Sequence, residues 1–207
     1  MTTAWTASGE AAVRTDPARI AELFPEAGRA VGRTPLDADD PLGLVRGTLD
    51  DEARARLVGA LLDSAPAAEA ARTLADLYRY GDDAERRGVL HGLNAADPAS
   101  PEVVEAGLAF VADALRANDP RLVAAALGAF AAHRLDQHAW RHGVLKALFM
   151  GIPLDAVADL ERRTDPELAR MAAGLVAERR AAGRTVSDDV ARLAAANPAA
   201  TNTAQED

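Results

Sequence analysis

DQHAWRHGVLKALFMG, residues Asp136 to Gly151, is the stretch on which the fold turns. At roughly 100° per residue, Trp140, Val144, Ala147 and Leu148 fall on one side of a helix. Leu145 and Phe149 fall on the other, between His138, His142 and Lys146. A helix that is apolar over most of its circumference predicts burial, with neighbours on several sides. A buried helix with two imidazoles and an ammonium is a candidate polar site, because an unpaired buried cation is costly.

Working outward, the same helical grammar continues in both directions. After Gly151-Ile152-Pro153 the pattern predicts a short helix from Asp155 to Arg163. Thr164-Asp165-Pro166-Glu167 then combines a capping-box spacing with an N-terminal proline. The helix it opens runs to Ala182, with Leu168, Met171, Ala172, Leu175 and Val176 as its stripe and Gly183 as its cap. A last short helix spans Ser187 to Ala195. Upstream, Asn118-Asp119-Pro120 opens a helix reaching His133, and Ser100-Pro101 opens one reaching Ala117. Thr48 or Asp50 caps a helix to about Leu62. Further helices run from Ala67 to Tyr80 and through ERRGVLHGLN after Gly81-Asp82-Asp83. Pro17 to Phe24 forms a short helix, whereas Pro25 to Pro41 reads mostly as loop. Met1 to Gly9 reads as flexible, and 197–207 as a disordered tail.

No strand pattern occurs. The expectation is one all-α domain over residues 1–196, with roughly eight to ten helices in antiparallel hairpins, forming a HEAT-like short solenoid or a curved bundle. The composition agrees. Of 207 residues, 49% are hydrophobic and only 4% aromatic, which favours Ala- and Leu-rich helices over sheet.

A net charge of −9 argues against general nucleic-acid binding, which needs a basic surface. The absence of cysteine excludes disulfides, thiol catalysis and cysteine-ligated metals. No leader pattern opens the chain and no apolar run approaches the length of a membrane span, so a cytoplasmic location is the expectation.

Three groups could carry chemistry. His133, His138 and His142 cluster within ten residues, and the last two share a helix face. They are weak candidates for a metal site, since no glutamate follows the first histidine of the pair as a zincin requires. The alternative is that the imidazoles bond to backbone between packed helices. Lys146 could be a general base or Schiff-base lysine in an apolar pocket, or could bond helix-end carbonyls. Arg116 could bind an anion with the first amides of the helix after Asn118-Asp119, while capping alone would explain the latter two. No phosphate loop, nucleophile elbow or acid-rich diphosphate motif is present, and no cofactor is expected.

Segments from Leu115 to Val190 resemble the EboA family. They are LRAND (Leu115–Asp119), HAWRHGVLKALFMGIPL (His138–Leu154), LERRTDPELARM (Leu160–Met171) and AERRAAGRTVSDDV (Ala177–Val190). Further upstream only LYRYGD (Leu77–Asp82) is similar. The resemblance favours Arg116, Asn118, Trp140 and Lys146 as site positions. It implies a metabolite-traffic protein, encoded beside enzymes that include a prenyltransferase and a metal hydrolase, and linked to moving a secondary metabolite or its precursor. It assigns no reaction. The reading is therefore a helical protein, leaning non-catalytic, that supports biosynthesis or export of a secondary metabolite. It would bind a partner enzyme of the same pathway or a small metabolite. The alternative is an enzyme or enzyme subunit with a polar pocket around Arg116, His138, His142 and Lys146.

Overall fold

The computed structural model describes residues 2–196, so the tail at 197–207 lies outside the described residues. The described chain is an all-α single domain. Its helices are α1 (Thr2–Thr15), α2 (Ile20–Val31), α3 (Leu49–Ser64), α4 (Ala67–Tyr80), α5 (Asp83–Ala96) and α6 (Pro101–Ala114). They are followed by α7 (Pro120–Ala126), α8 (Ala129–Arg134), α9 (Gln137–Met150), α10 (Leu160–Arg163), α11 (Pro166–Ala181) and α12 (Asp188–Ala195). Two single-turn 3₁₀ segments, Pro17–Arg19 and Leu154–Ala156, complete the set. Twelve α-helices thus stand where eight to ten were expected.

Four departures from the sequence reading have physical causes. Of the stretch Met1 to Gly9, expected to be loose, Met1 lies outside the described residues and the rest is helical: α1 begins at Thr2 and lays Thr6, Gly9 and Val13 against the domain. Apart from Val13 that stripe is Thr6 and Gly9, so it carries little apolar signal. The Glu10 carboxylate also accepts two hydrogen bonds from Arg56 of α3, at 2.9 and 2.7 Å. Pro25 does not end its helix. Ile20, Phe24, Ala27 and Val31 are all buried along α2, and their packing outweighs the one backbone bond that an exposed proline removes. The single helix expected from Pro120 to His133 is two. Asn94 of α5 donates to Ala125 O at 2.8 Å and accepts from Phe130 N at 3.1 Å, entering the helical ladder beside Gly128. The helix expected over Asp155–Arg163 is likewise split, with Asp159 in the left-handed region (φ 55°) between its two pieces.

Helices pack mainly against the second one along the chain: α3 with α5, α4 with α6, α5 with α7, and α7 with α9. The α3–α5 pair is the most intimate. Gly88 and Gly92 on α5 leave room for Arg54 and Val58 of α3, which a Cβ at either glycine would strike. Two main apolar cores result, beside a small cluster of Ala27, Val31 and Ala53. The first is built around Phe24, Leu57, Leu61, Leu90, Leu93 and Phe130. The second is built around Leu127, Trp140, Val144, Leu148, Leu168 and Val190. α7 divides them: Leu122, Ala125 and Ala126 face the first, while Val123 and Ala124 face the second.

Candidate functional site

α9 is fixed at both ends by its own sequence. The Asp136 carboxylate accepts from Ala139 N at 2.9 Å, and Gly151 ends the helix in the left-handed conformation (φ 74°). Trp140, Gly143, Val144, Ala147 and Leu148 are buried in the second core. The helix is not enclosed all round, however. His138, His142 and Phe149 are exposed, and Leu145 and Lys146 are half-buried. The apolar residues on the second side of α9 therefore line a surface, not an interior.

Lys146 reaches the end of α6. Its Nζ donates to Leu115 O at 2.8 Å and to Ala117 O at 2.5 Å. These are orphan carbonyls just past the C-terminus of a helix, where the partial negative charge of the backbone favours an ammonium. Lys146 is thus a clamp on the α6–α7 turn, the same turn that carries Arg116 and Asn118. Both of those are exposed, and Arg116 pairs with Asp113 at 3.1 Å. The amides at the start of α7 are already served, because the Asp119 carboxylate accepts from Arg121 N at 2.7 Å and Leu122 N at 3.3 Å.

The His138 and His142 rings meet at a tilt, with centroids 4.5 Å apart and planes inclined by 58°. His133 lies on α8 and is drawn to carboxylates instead: Asp97 at 3.1 Å and Asp159 at 3.5 Å. Among the described residues, no group of three or more His, Cys, Asp or Glu side chains is arranged to hold a metal. Trp140 is wholly buried beneath Arg163, whose guanidinium carbon sits 4.7 Å from the indole centroid. Arg163 donates to Ala131 O, Ala132 O and Leu135 O, so it closes the C-terminus of α8 while covering the indole. Burial and the neighbouring Arg162 both push its pKa below the usual arginine value.

α9 and α11 lie side by side in the same direction. At their starts, Arg141 and Gln137 both hydrogen-bond the Asp165 carboxylate, which also caps α11 through Leu168 N. The Arg141 contact holds that carboxyl far below the usual carboxylate range. At their ends, Arg179 donates to Phe149 O at 3.3 Å. Between these ties an open groove of about 590 Å³ separates the helices, with Lys146 in its wall. Arg116, Asn118, His138 and His142 do not line it.

The most heavily buried polar cluster was not anticipated from the sequence. Asp50 and Arg54 are in contact at 2.6 Å, and the Thr48 hydroxyl donates to Asp50 at 2.6 Å. Arg87 Nε reaches Asp51 Oδ1 at 2.7 Å and Oδ2 at 2.9 Å. All five of these residues are buried. Burial works to raise the Asp50 pKa, but Thr48 and Arg54 outweigh it and the carboxyl titrates below its ordinary value. Thr48 and Asp51 also form a capping box at the start of α3. The cluster welds the loop before α3 to α3 and α5. The i, i+4 spacing of Asp50 and Arg54 was the available signal. Asp50 and Asp51 read equally well as ordinary acidic residues in a first helical turn.

A family model described as "Metabolite traffic protein EboA" matches residues 45–195, most of the chain. The match begins well before the segments around α9, so it takes in the buried cluster on α3 and α5 as well. Neither the curated proteins nor the solved structures contain a match.

Proposed function

The chain belongs to the EboA family, and from that membership we propose that it is a non-catalytic helical protein supporting the traffic or biosynthesis of a secondary metabolite in the cytoplasm. It acts by binding a partner enzyme or the metabolite on the surface formed by His138, His142 and the α6–α7 turn. Arg116 and Asn118 present polar groups from that turn. Lys146 and Trp140 support the surface from beneath, Lys146 through its two carbonyl bonds and Trp140 through the second core.

The observation that carries this reading is the commitment of Lys146. A lysine acting as nucleophile or base needs a free amine with a lowered pKa, whereas this ammonium donates to two helix-end carbonyls. Arg116, Asn118, His138 and His142 are exposed groups suited to recognition. Among the described residues no helix is long and apolar enough to cross a membrane, which fits action through a partner.

The test is native mass spectrometry of chain purified without chelator or affinity tag, followed by capture of its co-encoded pathway proteins. A stoichiometric small molecule or partner is expected, and it should be lost in a His138→Ala/His142→Ala/Arg116→Ala variant with an unchanged melting temperature. The reading fails if that variant retains its partner, or if the purified chain alone turns over a pathway intermediate.

A further inference from the structure

The groove between α9 and α11 presents a face that is complementary to itself. On α11, Arg170, Met171, Gly174, Leu175 and Glu178 follow one another at i, i+3, i+4 steps and all border the groove. Gly174 is exposed, and a Cβ built on it would have nothing within 4 Å, so the helix carries a notch at that point. Phe149, 61% exposed, stands beside it on α9. An aromatic side chain left this open against partly exposed Leu145, Met171 and Leu175 makes an apolar surface that no element among the described residues covers.

The charges flanking the notch have a particular order. Arg170 lies four residues before Gly174 and Glu178 four residues after it. Among the described residues Arg170 is engaged only with Glu167 on its own helix, at 2.7 Å, and it remains largely exposed. Glu178 is exposed and makes no ion pair among the described residues. A two-fold axis through Gly174, perpendicular to α11, lays a second α11 antiparallel to the first. That operation brings Arg170 of each copy opposite Glu178 of the other. It also brings the two glycine notches together, where the backbones can approach most closely, and sets the helix dipoles in opposition. For a chain of net charge −9, two copies repel in general. This face offers them one cation and one carboxylate in matching places.

We propose that the α9/α11 face is an isologous homodimer interface, centred on Gly174 and held in register by Arg170–Glu178 pairs between copies. The inference does not depend on which metabolite or enzyme the protein serves.

Sedimentation velocity on the full chain tests it. The wild type is expected to dimerise with rising concentration, burying Phe149. Arg170→Glu and Glu178→Arg each place like charges at both symmetric contacts, and each should weaken association by about tenfold or more. An equimolar mixture of the two variants should dimerise again, because a mixed pair restores both contacts. Loss of folding in either variant cannot imitate that rescue, and circular dichroism will report it independently. Gly174→Phe fills the notch and should leave a monomer. A wild type that stays monomeric into the high micromolar range overturns the proposal. So does a dimer that survives both reversals, a failure of the mixture to recover, or a monomer that instead takes up a helix from another protein.

Discussion

Arg87 and Lys146 are both cations drawn into helical packing, one beside each core, and they are held in different ways. Arg87 is paired with a carboxylate, Asp51, that is as buried as itself, and the pair sits in a cluster with Thr48, Asp50 and Arg54. Lys146 has no carboxylate partner among the described residues; its ammonium rests on the carbonyls of Leu115 and Ala117. The first arrangement joins a loop to two helices through side chains that are useless without each other. The second seals the end of one helix and leaves the stem of the lysine in the wall of a surface groove. The difference separates a polar interior that specifies the fold from a polar edge that shapes a face others can reach.

The sharpest way to break this comparison is to remove one partner of the buried pair. Asp51→Ala leaves the Arg87 guanidinium unpaired inside the first core and empties the capping box with Thr48. A loss of about 3–5 kcal/mol is expected, in line with truncation of buried ion pairs, and is read from the urea midpoint. A loss no greater than that of Lys146→Met would abolish the distinction between the two cores.

Lys146→Met keeps the apolar stem and removes the ammonium. Leu115 O and Ala117 O then lose their donor but lie near enough to the surface for water to serve them in part. The expected cost is about 1–2 kcal/mol, less than a fully buried orphan group. Hydrogen exchange should show the extra opening confined to the α6–α7 turn. Protection lost throughout the second core would mean that Lys146 holds more than that turn.

The same contrast governs what the sequence made legible. α4 and α9 stand out because Pro66 and Gly81 bound the one, and Asp136 and Gly151 the other, all by local backbone chemistry. Trp140 and Val144 declare their burial by spacing alone. The end of α7 does not show itself, since its cause, Asn94, lies on α5. Nor does the partnership of Asp51, whose arginine is 36 residues away. Local pattern cannot tell a carboxylate that faces the helix dipole from one that also meets a distant cation. On the candidate site, periodicity brought His138, His142 and Lys146 to one helix, and the open face beside them depends on how α11 is placed, which only tertiary packing decides.

The smallest effect concerns His91, at the border of the buried cluster. Its Nε2 is buried with no hydrogen-bond partner among the described residues and lies 3.8 Å from Asp51 Oδ2. Burial pushes the imidazole pKa below its ordinary value; Asp51 and Asp50 pull the other way, and Arg87 reinforces the burial. The folded state therefore binds the proton less readily than the unfolded chain. As pH falls through the ordinary histidine range, the unfolded state takes up the proton first and stability declines, levelling off once the folded imidazole is protonated too. In His91→Gln that contribution is absent, so its melting temperature should fall less between pH 7.5 and pH 5.5 than that of the wild type. Comparing the two proteins over the same interval cancels every contribution that both share. Parallel pH profiles would mean that His91 stays equally protonated in the folded and unfolded chains. A steeper fall in the variant would mean that Asp51 captures the imidazolium as an ion pair. In that case the cluster would gain from protonation, and it would hold its charges by adding partners where Lys146 is held by meeting the backbone.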